Sequence, residues 1–146
     1  MVTVKEVIDK KGGKFWSVGP EVSVLHALEI MVEKDVGALP VMEGTAVLGM
    51  FSERDYARKT VRFGHTSRDY TVREMMTEDV HFITPDKLLR DAMRIMTERK
   101  VRHLPVIEGD RVIGILSMRD VVERLIFEQN QIIQDLEGYI TGATYT

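Results

Sequence analysis

The chain has 146 residues, of which 29% are charged and 44% hydrophobic, and its net charge of −3 offers no general attraction to nucleic acid. It contains no cysteine, which excludes disulfides, thiolate nucleophiles and cysteine metal sites. No apolar run approaches the roughly 20 residues that span a bilayer, and the N-terminus lacks a secretory signal, so the sequence predicts a cytoplasmic protein with no membrane contact.

The first predicted element is a short helix, opened by the capping box Thr3-Val4-Lys5-Glu6. A short strand ends at Val18, before Pro20, and an amphipathic helix follows with apolar residues at helical spacing from Val24 to Val32. Residues 38–42 and 46–51 are predicted to form a hairpin around a Glu-Gly turn. A helix then starts at Ser52, and the polar residues 62–70 form a linker.

The second half of the chain carries the same series. Another capping box, Thr71-Val72-Arg73-Glu74, opens a short helix, and a strand ends at Ile83, before Pro85. An amphipathic helix from residue 89, a hairpin at 103–107 and 111–116, and a helix from Ser117 complete it.

The last helix is predicted to be long, because residues 121–137 contain neither Gly nor Pro. It carries a rough apolar stripe, made of Leu125, Ile132, Ile133, Leu136 and Ile140. Only the two halves of the module or another subunit could cover this stripe, so we expect a homodimer in which the helix takes part.

The two series are an internal repeat. Residues 18–61 align with 83–126 without a gap at an offset of 65, and 16 of the 44 aligned positions are identical. The block is too long for a solenoid unit and predicts two copies of one small fold. Because about 65 residues are marginal alone, the halves are expected to share a core and unfold together. A ligand is expected in the clefts where the copies meet.

These elements predict the α+β fold class, with two pseudo-symmetric β-α-β-β-α units. Each unit is preceded by a short helix, and a long C-terminal helix ends the chain. The predicted domain limits are residues 3–61, a linker at 62–70, residues 71–126, and a helix and tail at 127–146.

Several linked motifs give the chain a family resemblance. They are the TVxE helix starts, the LPV strands at 39–41 and 104–106, the Gly-containing hairpins, and a G-h-h-S-x-x-D motif at 49–55 and 114–120. The chain resembles a tandem pair of cystathionine-β-synthase-type (CBS) domains, a Bateman module, and in particular the stand-alone two-CBS proteins. The resemblance implies that adenosine-containing ligands bind between the copies and that two modules pair into a flat dimer.

The Ser-x-x-Asp part of the motif, Ser52 to Asp55 and Ser117 to Asp120, has two interpretations. It is a capping box, in which Ser and Asp satisfy free amides at a helix start. The same geometry offers a phosphate the N–H groups and positive dipole of a helix N-terminus, while the Asp can accept ribose hydroxyls. The duplication and the resemblance favour ligand contact. Arg54 and Arg119 precede the two Asp residues and could bind phosphate bidentately.

The resemblance also implies where the base is recognised. Backbone groups of the first strand and of the strand before LPV would contact adenine, at Ser17, Val18, Pro20, Gly37 and Ala38, and at Ile83, Thr84, Pro85, Arg102 and His103. Core packing is the alternative for Val18 and Ile83. Because Arg102-His103 replaces Gly37-Ala38, the clefts are expected to differ, and the one with Arg102 should favour more phosphate charge. Arg58 and Arg68 are further phosphate candidates, although a charge run is usually a solvated face.

Catalysis finds little support in the sequence. The four histidines lack metal-binding spacing, and no GxSxG, Walker or GxGxxG motif is present. Trp16 is expected in the core, with stacking on a base as the alternative, and most of the methionines are expected in the core or at an interface. The sequence therefore predicts a regulatory module, not an enzyme, with no catalytic cofactor. Its ligand is expected to be AMP, with ATP or NAD(H) as alternatives, and its output to reach an unidentified effector protein. The other hypothesis is a structural dimerisation module that needs no ligand.

Overall fold

The structure is a computed structural model that describes residues 1–64 and 70–141. The predicted α+β class and its two-unit organisation are confirmed. The described residues form, in chain order, α1 (Val4–Lys10), α2 (Val24–Lys34), β1 (Ala38–Glu43), β2 (Ala46–Ser52), α3 (Glu53–Phe63), α4 (Val72–Met75), α5 (Leu89–Arg99), β3 (His103–Glu108), β4 (Arg111–Ser117) and α6 (Met118–Thr141). None of these helices is both long and apolar enough to cross a membrane.

Each copy contains one antiparallel hairpin, β1–β2 or β3–β4, and the two hairpins have the same register. Gly44 and Gly109 turn them with φ of 61° and 63°, a left-handed conformation that glycine adopts without strain. A bulge follows at matching positions, between Val41 and Met42 and between Val106 and Ile107. The repeat in the sequence is therefore a repeat in backbone geometry.

The predicted strands that end at Val18 and Ile83 are wrong as strands. Each residue makes only an isolated parallel bridge, Val18 to Val41 and Ile83 to Val106. The Val18 N–H donates to the Pro40 carbonyl at 3.1 Å, and its own carbonyl accepts from Met42 at 2.9 Å. Two residues later comes a proline, which has no N–H to extend a ladder, so the pairing stops.

The short leading helices are exchanged between the copies. Val4, Val7 and Ile8 of α1 join the core of the second copy, whereas Val72 and Met75 of α4 join the core of the first. The first amides of these helices also bond across the copies. Val4 and Lys5 donate to the carbonyls of Lys87 and Pro85, and Val72 and Arg73 donate to those of Val22 and Pro20.

The prediction of one shared core is wrong in detail, because the described buried side chains form two clusters. The first is centred on Leu39, Val41 and Phe51, and the second on Leu104, Val106 and Leu116. Since each cluster includes a helix from the other half of the sequence, neither half keeps its own core without the other. That the halves unfold together remains a prediction.

Helix α6 extends the predicted apolar stripe into solvent. Its N-terminal part packs on the second core through Val121 and Leu125. Beyond this point Ile132, Ile133, Leu136 and Ile140 are 47–80% exposed. Such a contiguous apolar face on a regular helix is typical of an interaction surface.

Candidate functional site

Two clefts lie where the copies meet. Cleft A has a volume of about 880 Å³, and its lining includes Gly37 and Ala38 of the first copy and Ser117, Arg119 and Asp120 of the second. Cleft A is also lined by residues of α2 and of the segment that follows α1.

Cleft B is smaller, about 370 Å³, and reverses the contributions of the copies. Ser52, Arg54 and Asp55 come from the first copy, and Arg102 and His103 from the second. Each Ser-x-x-Asp motif therefore faces the residues before the LPV strand of the other copy. Gly37, Ala38, Glu53 and His103 line both clefts and form a shared wall.

In cleft B, the Ser52–Asp55 motif forms a complete capping box. The Asp55 N–H donates to Ser52 Oγ at 3.0 Å, and Asp55 Oδ2 accepts from the Ser52 N–H and hydroxyl at 3.1 and 3.0 Å. The other carboxylate oxygen, Oδ1, accepts from the Thr77 hydroxyl at 2.8 Å. These bonds fix the carboxylate at the cleft wall, so the cap positions the group for which the sequence predicts ribose contact.

In cleft A, Asp120 has a charged partner. Its Oδ2 accepts from the Ser117 N–H at 2.9 Å and from Lys11 Nζ at 2.8 Å. Burial by itself raises the pKa of Asp120, but the hydrogen bonds from Lys11 and Ser117 outweigh it and hold this pKa below its ordinary value. Asp120 is therefore ionised at neutral pH and already paired.

His103 occupies the wall between the clefts, with imidazole atoms 3.6 Å from the position that a Cβ on Gly37 would take. Burial is the main cause that lowers the pKa of His103, to about 4, and the nearby charges of Lys11 and Arg102 add to it. Asp120 and Asp55 act in the opposite direction without restoring the ordinary value. The imidazole is thus neutral at neutral pH, and the charges of two carboxylates and two cations act on it.

Several residues expected at the base do not line either cleft. Four of them are buried, namely Val18, Ile83, Pro20 and Pro85. The carbonyls of the two prolines accept hydrogen bonds from the exchanged helices α4 and α1. Ser17 and Thr84 are exposed. Arg58 is exposed on α3 outside both linings, and Arg68 lies outside the described residues.

The segments that do line the clefts lie slightly earlier in the sequence. Residues 14–16 contribute to cleft A and residues 79–81 to cleft B, and the offset between them is again 65. Trp16 is 42% exposed, so its expected place in the core is wrong. Lys34 Nζ lies 4.3 Å from the centroid of its ring. Applying the repeat offset upstream of residue 18 would have paired Trp16 with His81.

In the part of the chain that the structure describes, no three His, Asp or Glu side chains are grouped so that they could hold a metal ion. The polar groups in the clefts include carboxylates, hydroxyls, cations and the imidazoles of His81 and His103. Such a set suits a ligand that carries both hydroxyl and phosphate groups.

Comparison with known proteins gives a consistent family. The family model for the CBS domain matches twice, at residues 2–61 and 72–126. The CBS domain-containing protein CBSX3, mitochondrial, of Arabidopsis thaliana is 35% identical, over 96% of this chain and 72% of that protein.

Solved structures agree with the sequence comparison. The crystal structure of the CBS domain NE2398 superposes with a TM-score of 0.82 and 37% identity, covering 86% of this chain and 99% of that one. The structure of CBSX2 in complex with AMP superposes with a TM-score of 0.71 and 29% identity, covering 88% and 99%.

Proposed function

This chain belongs to the CBS-domain family, and we propose that it is a regulatory module that binds an adenosine-containing ligand in clefts A and B. In this proposal AMP is the first ligand to test, with ATP and NAD(H) as alternatives, and occupancy is passed to an effector protein in the cytoplasm. The proposal contains no catalytic step.

The observation that carries the proposal is the crossed composition of both clefts. One side of each cleft has the Ser and the hydrogen-bonded Asp of a helix start. The opposite side has the residues that precede the LPV strand of the other copy. An Asp carboxylate accepts hydrogen bonds from ribose hydroxyls, and a Ser hydroxyl beside helix amides suits a phosphate. The AMP complex of the similar CBSX2 supports the same ligand class.

Charge distinguishes the clefts. The lining of cleft B has four cations, Arg54, Arg99, Lys100 and Arg102, against three carboxylates. Four cations and four carboxylates line cleft A, and one of these cations is paired with Asp120. This balance supports the expectation that the cleft with Arg102 prefers the ligand with more phosphate charge.

Thermal unfolding with a ligand panel tests the proposal. A ligand that binds only the folded state stabilises it by RT ln(1 + [L]/Kd), about 2.7 kcal/mol at a hundredfold excess over Kd. We expect AMP to raise the unfolding temperature and GMP, at the same concentration, to raise it less. If no adenosine compound among AMP, ADP, ATP, NAD and NADH moves the transition, the regulatory proposal is wrong.

The exposed stripe of α6 supports a second function, dimerisation. Ile132 and Leu136 are 50% and 57% exposed, one turn apart on the same face. We expect the double change Ile132→Asp and Leu136→Asp to dissociate a homodimer, because it places charge inside an apolar contact. Light scattering at a protein concentration of tens of micromolar measures the molar mass and thus the oligomeric state.

The matched control changes Gln131 and Gln134 to Asp, which adds the same charge to the other face of the helix. This control should remain dimeric. A monomeric mass for the unmodified protein would refute the dimer, whereas a dimeric stripe variant would refute only the part played by α6.

A further inference from the structure

Lys11 is a feature of one cleft only. It follows α1 at the start of a turn in which Gly12 and Gly13 have φ of 81° and 65°. Around this turn the first copy has three more residues than the second. Because α1 is exchanged onto the second copy, the turn brings the Lys11 side chain to Asp120, 109 positions away in sequence.

The contact of Lys11 is specific. Its Nζ lies 2.8 Å from Asp120 Oδ2 and 2.9 Å from the carbonyl oxygen of Ile115. The side chain of Asp120 is 20% exposed and that of Lys11 is 39% exposed, so the pair lies at the cleft wall and is open to a ligand. The ammonium shares Oδ2 with the Ser117 N–H, so it competes with a ribose whose two hydroxyls bind one carboxylate oxygen each.

In cleft B the extra partner of the Asp carboxylate is neutral, and it bonds the oxygen that does not accept from the cap N–H. There the Thr77 hydroxyl donates to Asp55 Oδ1 at 2.8 Å. A hydroxyl can rotate and donate to water when a ligand displaces it, at little cost. An ammonium that loses its carboxylate inside a cleft loses a charge-assisted hydrogen bond and needs a new anionic acceptor.

We propose that Lys11 makes cleft A selective for phosphorylated adenosine compounds over uncharged adenosine. The inference rests on the proposed function. A ribose whose two hydroxyls bind both oxygens of Asp120 displaces the ammonium from Oδ2, and the 5′-phosphate of the same ligand supplies its new acceptor. The phosphate is joined to the ribose by one short link, within the range of the flexible lysine stem. Adenosine displaces the ammonium and offers no anion in return.

The fluorescence of Trp16 allows ligand binding at cleft A to be measured separately from binding at cleft B. It is the single tryptophan of the chain and lines cleft A, whereas residue 81, its counterpart in cleft B, is histidine. Titrations of AMP and of adenosine, followed by Trp16 fluorescence, give the affinity ratio of the two ligands at this cleft in the full chain.

In Lys11→Met we expect the ratio of AMP to adenosine affinity to fall at least about tenfold, since one charge-assisted bond to phosphate is lost and the barrier to adenosine is removed. Lys11→Arg should keep the preference for AMP. The matched control is Lys10→Met, which removes the neighbouring exposed charge and should leave the ratio unchanged. If Lys11→Met does not fold, Lys11→Gln repeats the test.

Failure of the selectivity inference can be distinguished from failure of the proposed function. If AMP changes Trp16 fluorescence and the ratio is the same with and without Lys11, the selectivity inference is wrong and the proposed function stands. If AMP binds by calorimetry without a Trp16 response, the inference about cleft A is also wrong. If neither ligand binds the unmodified protein by either method, the proposed function and the inference fail together.

Discussion

Replacing Asp55 or Asp120 with alanine is expected to weaken AMP binding at the affected cleft by roughly ten- to a hundredfold. Each change removes charge-assisted hydrogen bonds to ribose, worth about 1.5–3 kcal/mol. Isothermal titration calorimetry measures the affinity. Each single variant still has the Asp of the other cleft, so it should retain one unaffected binding site. The double variant should lose both sites.

The control for these variants must separate ligand contact from capping, because both Asp residues also accept bonds at a helix start. Asp91 has the same capping role at α5, where its Oδ2 accepts from the Leu88 N–H at 3.1 Å, and it lines neither cleft. Asp91→Ala should therefore lose the capping bond and keep its AMP affinity. Folded Asp55→Ala and Asp120→Ala variants with unchanged AMP affinity would rule out the site.

The repeat made much of the architecture predictable. A gapless offset fixes matched hairpins and helices, and capping residues fix where helices begin. The exchange of α1 and α4 was not predictable in this way, because periodicity identifies the apolar face of a helix and not the core that covers it. Val4, Val7 and Ile8 fit either copy by pattern alone.

The glycines of the repeated motif were the available signal for the exchange. A Cβ on Gly49 would lie 2.7 Å from the Thr77 carbonyl oxygen, and one on Gly114 would lie 2.9 Å from the Ile8 side chain. A glycine inside a strand often marks a close approach of another segment. The sequence shows that something approaches these strands, and only the structure shows that it is the segment leading into the opposite copy.

The cleft residues also divide into those that the sequence could locate and those that only the structure reveals. The Ser-x-x-Asp motifs could be located from spacing, because a cap is a local structure. The residues opposite them depend on how two copies pack, which a local pattern does not encode. Hence Val18 and Ile83, chosen from the resemblance, are core residues, while Trp16 and His81 line the clefts.

The free energy of unfolding is expected to fall as the pH is lowered from about neutral, because of His103. Its ordinary pKa is 6.5, whereas burial and the adjacent cations lower the pKa in the folded protein to about 4. Between these values the unfolded chain binds a proton that the folded protein does not, so stability rises with pH in this window. The difference corresponds to about 3 kcal/mol at most.

Denaturant titrations at a series of pH values between 7 and 4 measure this loss. In His103→Gln the loss should be smaller by most of that amount, since no imidazole remains to bind the proton. His26→Gln removes an exposed imidazole on α2, and this variant should lose as much unfolding free energy on acidification as the unmodified protein. Asp120 acts at lower pH. Its pKa is lowered from 3.8, so its contribution is present above that value and disappears as the pH falls through the lower folded pKa. An equal loss of stability in His103→Gln and the unmodified protein between pH 6.5 and 4 would show that His103 is not the residue responsible.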